Sequence, residues 1–166
     1  ILADAGLEGM SLQLAAPSGD ALRRFAELAQ EDLNAVGLNV ELAPVPQSEY
    51  YAKTVAGAIK FTPMRWTQRS DPDGLIQYLF ATDGTANSTG YSNEQVDKWI
   101  YEAREITDQA ERKALYDKVQ MQISKDLPYM PVGFSADFSA MRTNVHGYTP
   151  MPDLIPRLRD FWKSAE

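Results

Sequence analysis

Cysteine is absent from the 166 residues, which excludes disulfide frameworks, thiolate nucleophiles and the common structural zinc sites. Histidine occurs once. A Ser-His-Asp triad would therefore have to use His146, which sits beside Gly147 in a proline-rich tail, a setting for an exposed or capping histidine rather than a base. No apolar run approaches the roughly 20 residues that a membrane-crossing helix needs. Metalloprotease, phosphate-loop, dinucleotide-binding and nucleophile-elbow motifs are all missing. Positive charge is also in short supply: 16 Lys and Arg against 23 Asp and Glu leave a formal charge of −7. The basic residues are scattered rather than striped, so the chain would repel a phosphate backbone. What remains is ordinary globular composition, 44% hydrophobic and 23% charged, enough for one domain with its own core.

The opening, Ile1-Leu2-Ala3-Asp4-Ala5-Gly6, carries no signal-peptide pattern. It reads as the tail of a helix stopped by Gly6, which implies a chain cut from something longer. Met10, Leu12 and Leu14 alternate with polar residues as in a short strand with one buried face. Pro17-Ser18-Gly19-Asp20 offers N-cap chemistry, and Leu22, Phe25, Ala26, Ala29, Leu33 and Val36 recur at helical spacing until Gly37. Val40 and Leu42 begin a second strand, closing a right-handed strand-helix-strand unit with parallel strands. A shorter helix over 46–56 and a third strand over 59–66, broken by Pro63, should follow.

Directly after that strand comes the polar loop Thr67 to Gly74, at a carboxyl end where open α/β sheets place ligands. A helical turn over 75–80 and a small-residue loop over 81–90 come next. Ser92 with Gln95 suggests a capping box for a helix bearing Val96, Trp99, Ile100, Ala103 and Ile106. Asp108 with Glu111 suggests another, with Leu115, Val119, Ile123 and Leu127 on one face and a stop at Pro128. Residues 129–135 and 138–142 look strand-like; 145–162, with Pro150, Pro152 and Pro156, looks irregular.

Few constellations carry chemistry. Trp66 offers a flat apolar wall and Arg69 a fork that grips a carboxylate or phosphate, together suited to an anionic or zwitterionic solute. The alternative is that Trp66 is core and Arg69 pairs with Asp71 or Asp73 to stiffen the loop. Asn87 and Tyr91 bracket the small-residue loop and either reach a ligand or serve its turns. Trp99, Tyr101 and Tyr116 lie on helices, where packing is the expectation. Asp71-Pro72-Asp73-Gly74 superficially matches a calcium loop, but Phe80, Ala81 and Thr82 stand where the later acidic ligand would fall. No metal, cofactor or catalytic residue is assigned.

Taken in order, the pieces resemble the extracytoplasmic solute-binding proteins of ABC importers, peptide/nickel class. The resemblance runs from Leu2-Ala3-Asp4-Ala5-Gly6 through Asp32-Leu33-Asn34-Ala35-Val36-Gly37, Trp66, Asp71-Pro72-Asp73, Asn87 and Tyr91-Ser92-Asn93. It continues through Arg112-Lys113-Ala114-Leu115-Tyr116 and Leu127-Pro128-Tyr129-Met130-Pro131 to Val145-His146-Gly147-Tyr148. It implies an α/β fold: a periplasmic-binding-protein-like lobe with a mixed, mostly parallel sheet flanked by helices. Residues 1–142 would form one lobe of a two-lobed protein, and 143–166 would return toward the other. The implied function is capture of a peptide-like or other small polar solute and delivery to a membrane permease, in the periplasm or at the extracytoplasmic face of the membrane, without a cofactor and without catalysis. Ligand-binding residues would be Trp66, Arg69, Asp71, Asn87 and Tyr91. Peptide binders of the class place, a few residues after the tryptophan, an aspartate that receives the peptide amine. Arg69 occupies that place here, unless the register shifts by two to Asp71. Two other readings stand beside this one: a hydrolase using Asp71 and Asp73 as acid and base, and an interaction module whose isolated lobe self-associates.

Overall fold

The computed structural model describes residues 1–19, 21–67, 69–134, 136, 138–151 and 155–165. The chain divides into two compact units, residues 1–66 with 79–93 and residues 67–78 with 94–166. Asp20, Gln68, Ser135 and Pro152, which enter the readings above, lie outside the described residues.

The first unit is built on the expected strand-helix-strand motif. Strand β1 (Ser11–Pro17) and strand β2 (Asn39–Val45) pair in parallel, Leu14 opposite Leu42. Helix α1 (Ala21–Ala35) crosses between them. Leu14, Ala16, Ala26 and Val40 form the buried core, with Leu12, Ala29, Leu33, Leu38, Leu42 and Phe61 packed around it. Gly37 stops α1: at φ +98°, a conformation glycine adopts without side-chain strain, it donates to Asn34 O (3.1 Å) while Leu38 N donates to Leu33 O (3.2 Å). This is the paired 6→1 and 5→2 bonding of a Schellman end. Val36 therefore falls outside the helix and is 62% exposed, not part of the apolar stripe. Two α1 side chains tie down β2: Gln30 Nε2 donates to Val40 O (2.8 Å) and Asn34 Oδ1 accepts from Val40 N (2.7 Å). The opening turn closes with the same bond pair, Gly6 N to Ala3 O and Leu7 N to Leu2 O, as expected of a helical end.

Helix α2 (Gln47–Val55) follows β2. The expected third strand does not form. Residues 59–66 approach β1 with one backbone bond, Ala15 N to Phe61 O at 2.9 Å, and the next ladder bond is replaced by Thr62 Oγ1 donating to Ala15 O at 3.0 Å. Proline at 63 has no amide to continue a ladder.

Helix α3 (Asp73–Phe80) spans the boundary between the units. The core of the second unit is a helical hairpin, α4 (Glu94–Glu105) and α5 (Gln109–Asp126). Val96, Ile100 and Ala103 on α4 and Leu115, Tyr116 and Val119 on α5 are buried, the spacing of one stripe per helix. Asp108 caps α5 as anticipated, its Oδ1 accepting from Ala110 N (3.0 Å) and Glu111 N (2.9 Å). α4 instead begins one residue later than the Ser92 box implies; the Ser92 hydroxyl accepts from Thr82 Oγ1 at 3.0 Å. Leu127 leaves the stripe because it closes α5 in the left-handed region, φ 48°, and is 58% exposed. Tyr101 is likewise exposed, with the Arg104 guanidinium 5.8 Å from its ring centre.

No described residue of 129–142 lies in a strand, and Phe134 and Phe138 are almost fully exposed. The tail is mostly irregular but forms a small antiparallel ladder, β3 (Val145–His146) with β4 (Trp162–Lys163). His146 stacks on Trp162 at 4.2 Å between ring centres. Gly147 is obligatory there: a Cβ at this position would collide with the Asp160 carbonyl. Among the described residues no helix is long and apolar enough to cross a membrane.

Candidate functional site

In the second unit, Asp71 and Asp73 open α3. Asp71 Oδ1 accepts from Asp73 N at 2.8 Å, the local turn that an aspartate two residues before a helix makes readily. Both oxygens of Asp71 also receive the Arg112 fork, Nη1 to Oδ2 at 2.5 Å and Nη2 to Oδ1 at 2.8 Å. Arg112 Nε donates to Ala103 O at 3.1 Å and Nη2 to Tyr116 Oη at 3.3 Å. Tyr116 Oη in turn donates to Asp73 Oδ1 at 3.2 Å, and Arg104 Nε lies 3.5 Å from Asp73 Oδ2. The result is a linked set of two carboxylates, two guanidiniums and one phenol that joins the start of α3 to the α4–α5 hairpin.

Its electrostatics follow from the contacts. The Arg112 hydrogen bonds hold the Asp71 carboxyl below its ordinary value against a smaller opposing effect of burial. The same bonds push Arg112 upward. Burial pushes the Tyr116 phenol up, and the Asp73 charge adds to that. A general acid at neutral pH needs a raised carboxyl; Asp71 is lowered, so it is poorly suited to that one role.

Arg69 stands outside both ion pairs. The carboxylates expected to hold it belong to Arg112 and Arg104. Its side chain is exposed, and its stem runs against Gly74, where an added Cβ would sit 3.1 Å from Arg69 Cγ. The missing glycine side chain thus lets the Arg69 stem pass close to α3.

In the first unit, Trp66 is half-buried, and the Tyr51 ring meets it edge-on, centres 6.2 Å apart and planes at 70°. Asn87 organises the 81–91 loop with its whole amide: Nδ2 donates to Ala81 O (3.1 Å) and Tyr91 O (2.7 Å), while Oδ1 accepts from Thr89 Oγ1 (3.1 Å) and Tyr91 N (3.1 Å). Ala81 and Ala86 are completely buried within this loop.

The expected residues therefore divide between the two units, Trp66, Asn87 and Tyr91 in one and Arg69 and Asp71 in the other. Sequence reasoning missed Arg104, Arg112 and Tyr51 as organisers of these groups and assigned Tyr116 to packing alone. The i, i+4 spacing of Arg112 and Tyr116 is a signal that one helix face carries both, but their partners lie 41 and 43 residues away. Among the described residues no cluster of three or more His, Asp or Glu could hold a metal ion.

The α/β fold has counterparts among known proteins. No family model matches the sequence. Di/tripeptide-binding protein 2 of Pseudomonas aeruginosa (strain UCBPP-PA14) is 29% identical over 140 residues, covering 82% of this chain and 26% of that protein. Among solved structures, a dipeptide binding protein from Pseudoalteromonas sp. SM9913 in complex with Met-Leu matches with TM-score 0.79 and 26% identity, over 98% of this chain and 34% of that one. The ABC transporter-associated periplasmic binding protein DppA from Helicobacter pylori, in complex with the peptide STSA, matches with TM-score 0.70 and 26% identity, over 78% and 27%. The resemblance read from the motifs, to solute-binding proteins of the peptide class, is borne out, as is the periplasmic-binding-protein-like α/β fold. The chain spans about a quarter to a third of the length of the proteins it matches.

Proposed function

We propose that this chain is part of the solute-binding component of an ABC importer, acting in the periplasm or at the extracytoplasmic face of the membrane. It captures a peptide-like or other small polar solute in a cleft and delivers it to the permease, without performing catalysis. The observation that carries this reading is the match over 98% of the chain to a protein solved with Met-Leu. Residues 1–142 then contribute one wall of the cleft, 143–166 return to the other lobe, and closure proceeds by hinge motion.

Within that cleft Trp66 supplies an apolar wall and Arg69 binds an anionic group of the solute. Asp71, together with Asn87 and Tyr91 from the 81–91 loop, completes the ligand-binding set. The support for Arg69 is its exposure together with the engagement of Asp71 and Asp73 by other arginines. A cation at this place disfavours a solute's ammonium group and favours its carboxylate. Arg69→Ala in the intact protein should weaken binding of an acidic or zwitterionic solute by about tenfold or more, the loss expected of a charge-assisted hydrogen bond. Unchanged affinity by calorimetry would remove Arg69 from the site.

A further inference from the structure

Residues 59–66 lead to Trp66 without the ladder that normally fixes a strand, so something else must set the tryptophan's position. The substitute is a hydroxyl at Thr62 supported from α2. Ala15 N binds Phe61 O, and in a parallel ladder the Ala15 carbonyl would next accept from the amide of residue 63, which proline lacks. Thr62 Oγ1 takes that place, donating to Ala15 O at 3.0 Å. Having given its proton to Ala15, the Thr62 oxygen is left as an acceptor, and Tyr50 Oη lies 2.6 Å from it. Tyr50 Oη also donates to the Pro63 carbonyl. Two hydroxyl protons thus serve the Ala15 and Pro63 carbonyls, with the Tyr50 proton shared toward Thr62. Tyr50 is only 3% exposed, so this relay works where water does not compete.

The next residue in α2 completes the device. Consecutive helical side chains diverge by about 100°, so Tyr50 points into the core while Tyr51, 52% exposed, lays its ring edge-on to Trp66. One helical turn therefore grips both the root of the segment and the ring at its end.

We infer that Tyr50 is a positioning residue for Trp66: its hydroxyl braces Thr62 and the Pro63 carbonyl where the strand ladder is missing and, with the Tyr51 ring, presets the indole for the solute. The inference rests on the reading of Trp66 as a cleft wall, and the experiment separates the two. The intact protein is labelled with 5-fluorotryptophan, the Trp66 signal is assigned by its loss in Trp66→Phe, and Met-Leu serves as the probe solute. In Tyr50→Phe the ring still fills its place, yet the Trp66 resonance should shift and broaden while Trp99 and Trp162 stay put. Thr62→Val should move the same resonance. Affinity for Met-Leu should fall by about tenfold in Tyr50→Phe, the loss expected when a preorganised contact is loosened. A Trp66 resonance unmoved in both variants overturns the positioning role. A shifted resonance with affinity unaffected in Trp66→Phe keeps the positioning and removes Trp66 from the solute site. If the Trp66, Trp99 and Trp162 signals all collapse in Tyr50→Phe, Thr62→Val decides: an unmoved Trp66 signal there overturns the inference.

Discussion

The 81–91 loop is organised by one neutral amide, whereas the 69–74 loop is organised by charge. Asn87 satisfies four partners at once within eleven residues of chain, and its loop buries two alanines completely. Asp71 and Asp73 instead depend on Arg104, Arg112 and Tyr116, which arrive from a helical hairpin far along the chain. The first arrangement is local and indifferent to salt and pH. The second is long-range, with Asp71 52% exposed, and so is open to both. One loop is a fixed frame and the other a tunable joint.

The largest effect should come from breaking the frame. Asn87→Ala removes its bonds to the Ala81 and Tyr91 carbonyls and leaves the Tyr91 amide the longer contact with Thr89 Oγ1 at 3.4 Å, which should cost roughly 2–3 kcal/mol and lower hydrogen-exchange protection at the Tyr91 amide. Asn87→Asp keeps the acceptor side alone and should recover only part of it. A loss below about 0.5 kcal/mol in Asn87→Ala, the range of ordinary surface substitutions, would contradict the comparison.

A smaller effect is expected from acid. The folded-state carboxyl of Asp71 lies below its ordinary value, so its contribution is complete above the ordinary carboxylate range, near pH 4, and is lost as pH falls through the folded value. The protection factor of the Asp73 amide, relative to its intrinsic exchange rate at each pH, should therefore fall below about pH 4, while that of the Tyr91 amide is kept over the same range. Asp71→Asn should erase the difference. The smallest effect belongs to alkali: the Tyr116 phenol is pushed up, so the unfolded chain ionises first and stability declines above about pH 10. Tyr116→Phe should flatten that decline.

How much of this was legible in the sequence depended on how local the determinants are. The β1-α1-β2 motif, the Gly37 stop and the Asp108 cap were readable because each is decided by residues within a few positions of one another. The 59–66 segment was misread because its β-favouring side chains suggested a strand, while Pro63 withheld the amide that a ladder needs. Residues 129–142 show the same failure in simpler form: alternating apolar residues indicate a strand only where an edge is available to pair with. Among the site residues, Trp66, Arg69 and Asn87 stood out by type. The links from Asp71 to Arg112 and from Asp73 to Tyr116 cross about 40 positions, a distance over which no periodicity operates.

The central claim, that the intact protein is a binding component rather than a catalyst, is tested most directly by its melting temperature in the presence of peptides, opines, sugars and metal chelates. A solute that binds only the native state raises that temperature by mass action. The account predicts a concentration-dependent rise for a peptide-like or anionic solute with no turnover of it; no rise from any of them, together with hydrolysis of an ester or glycoside that Asp71→Asn abolishes, would contradict it.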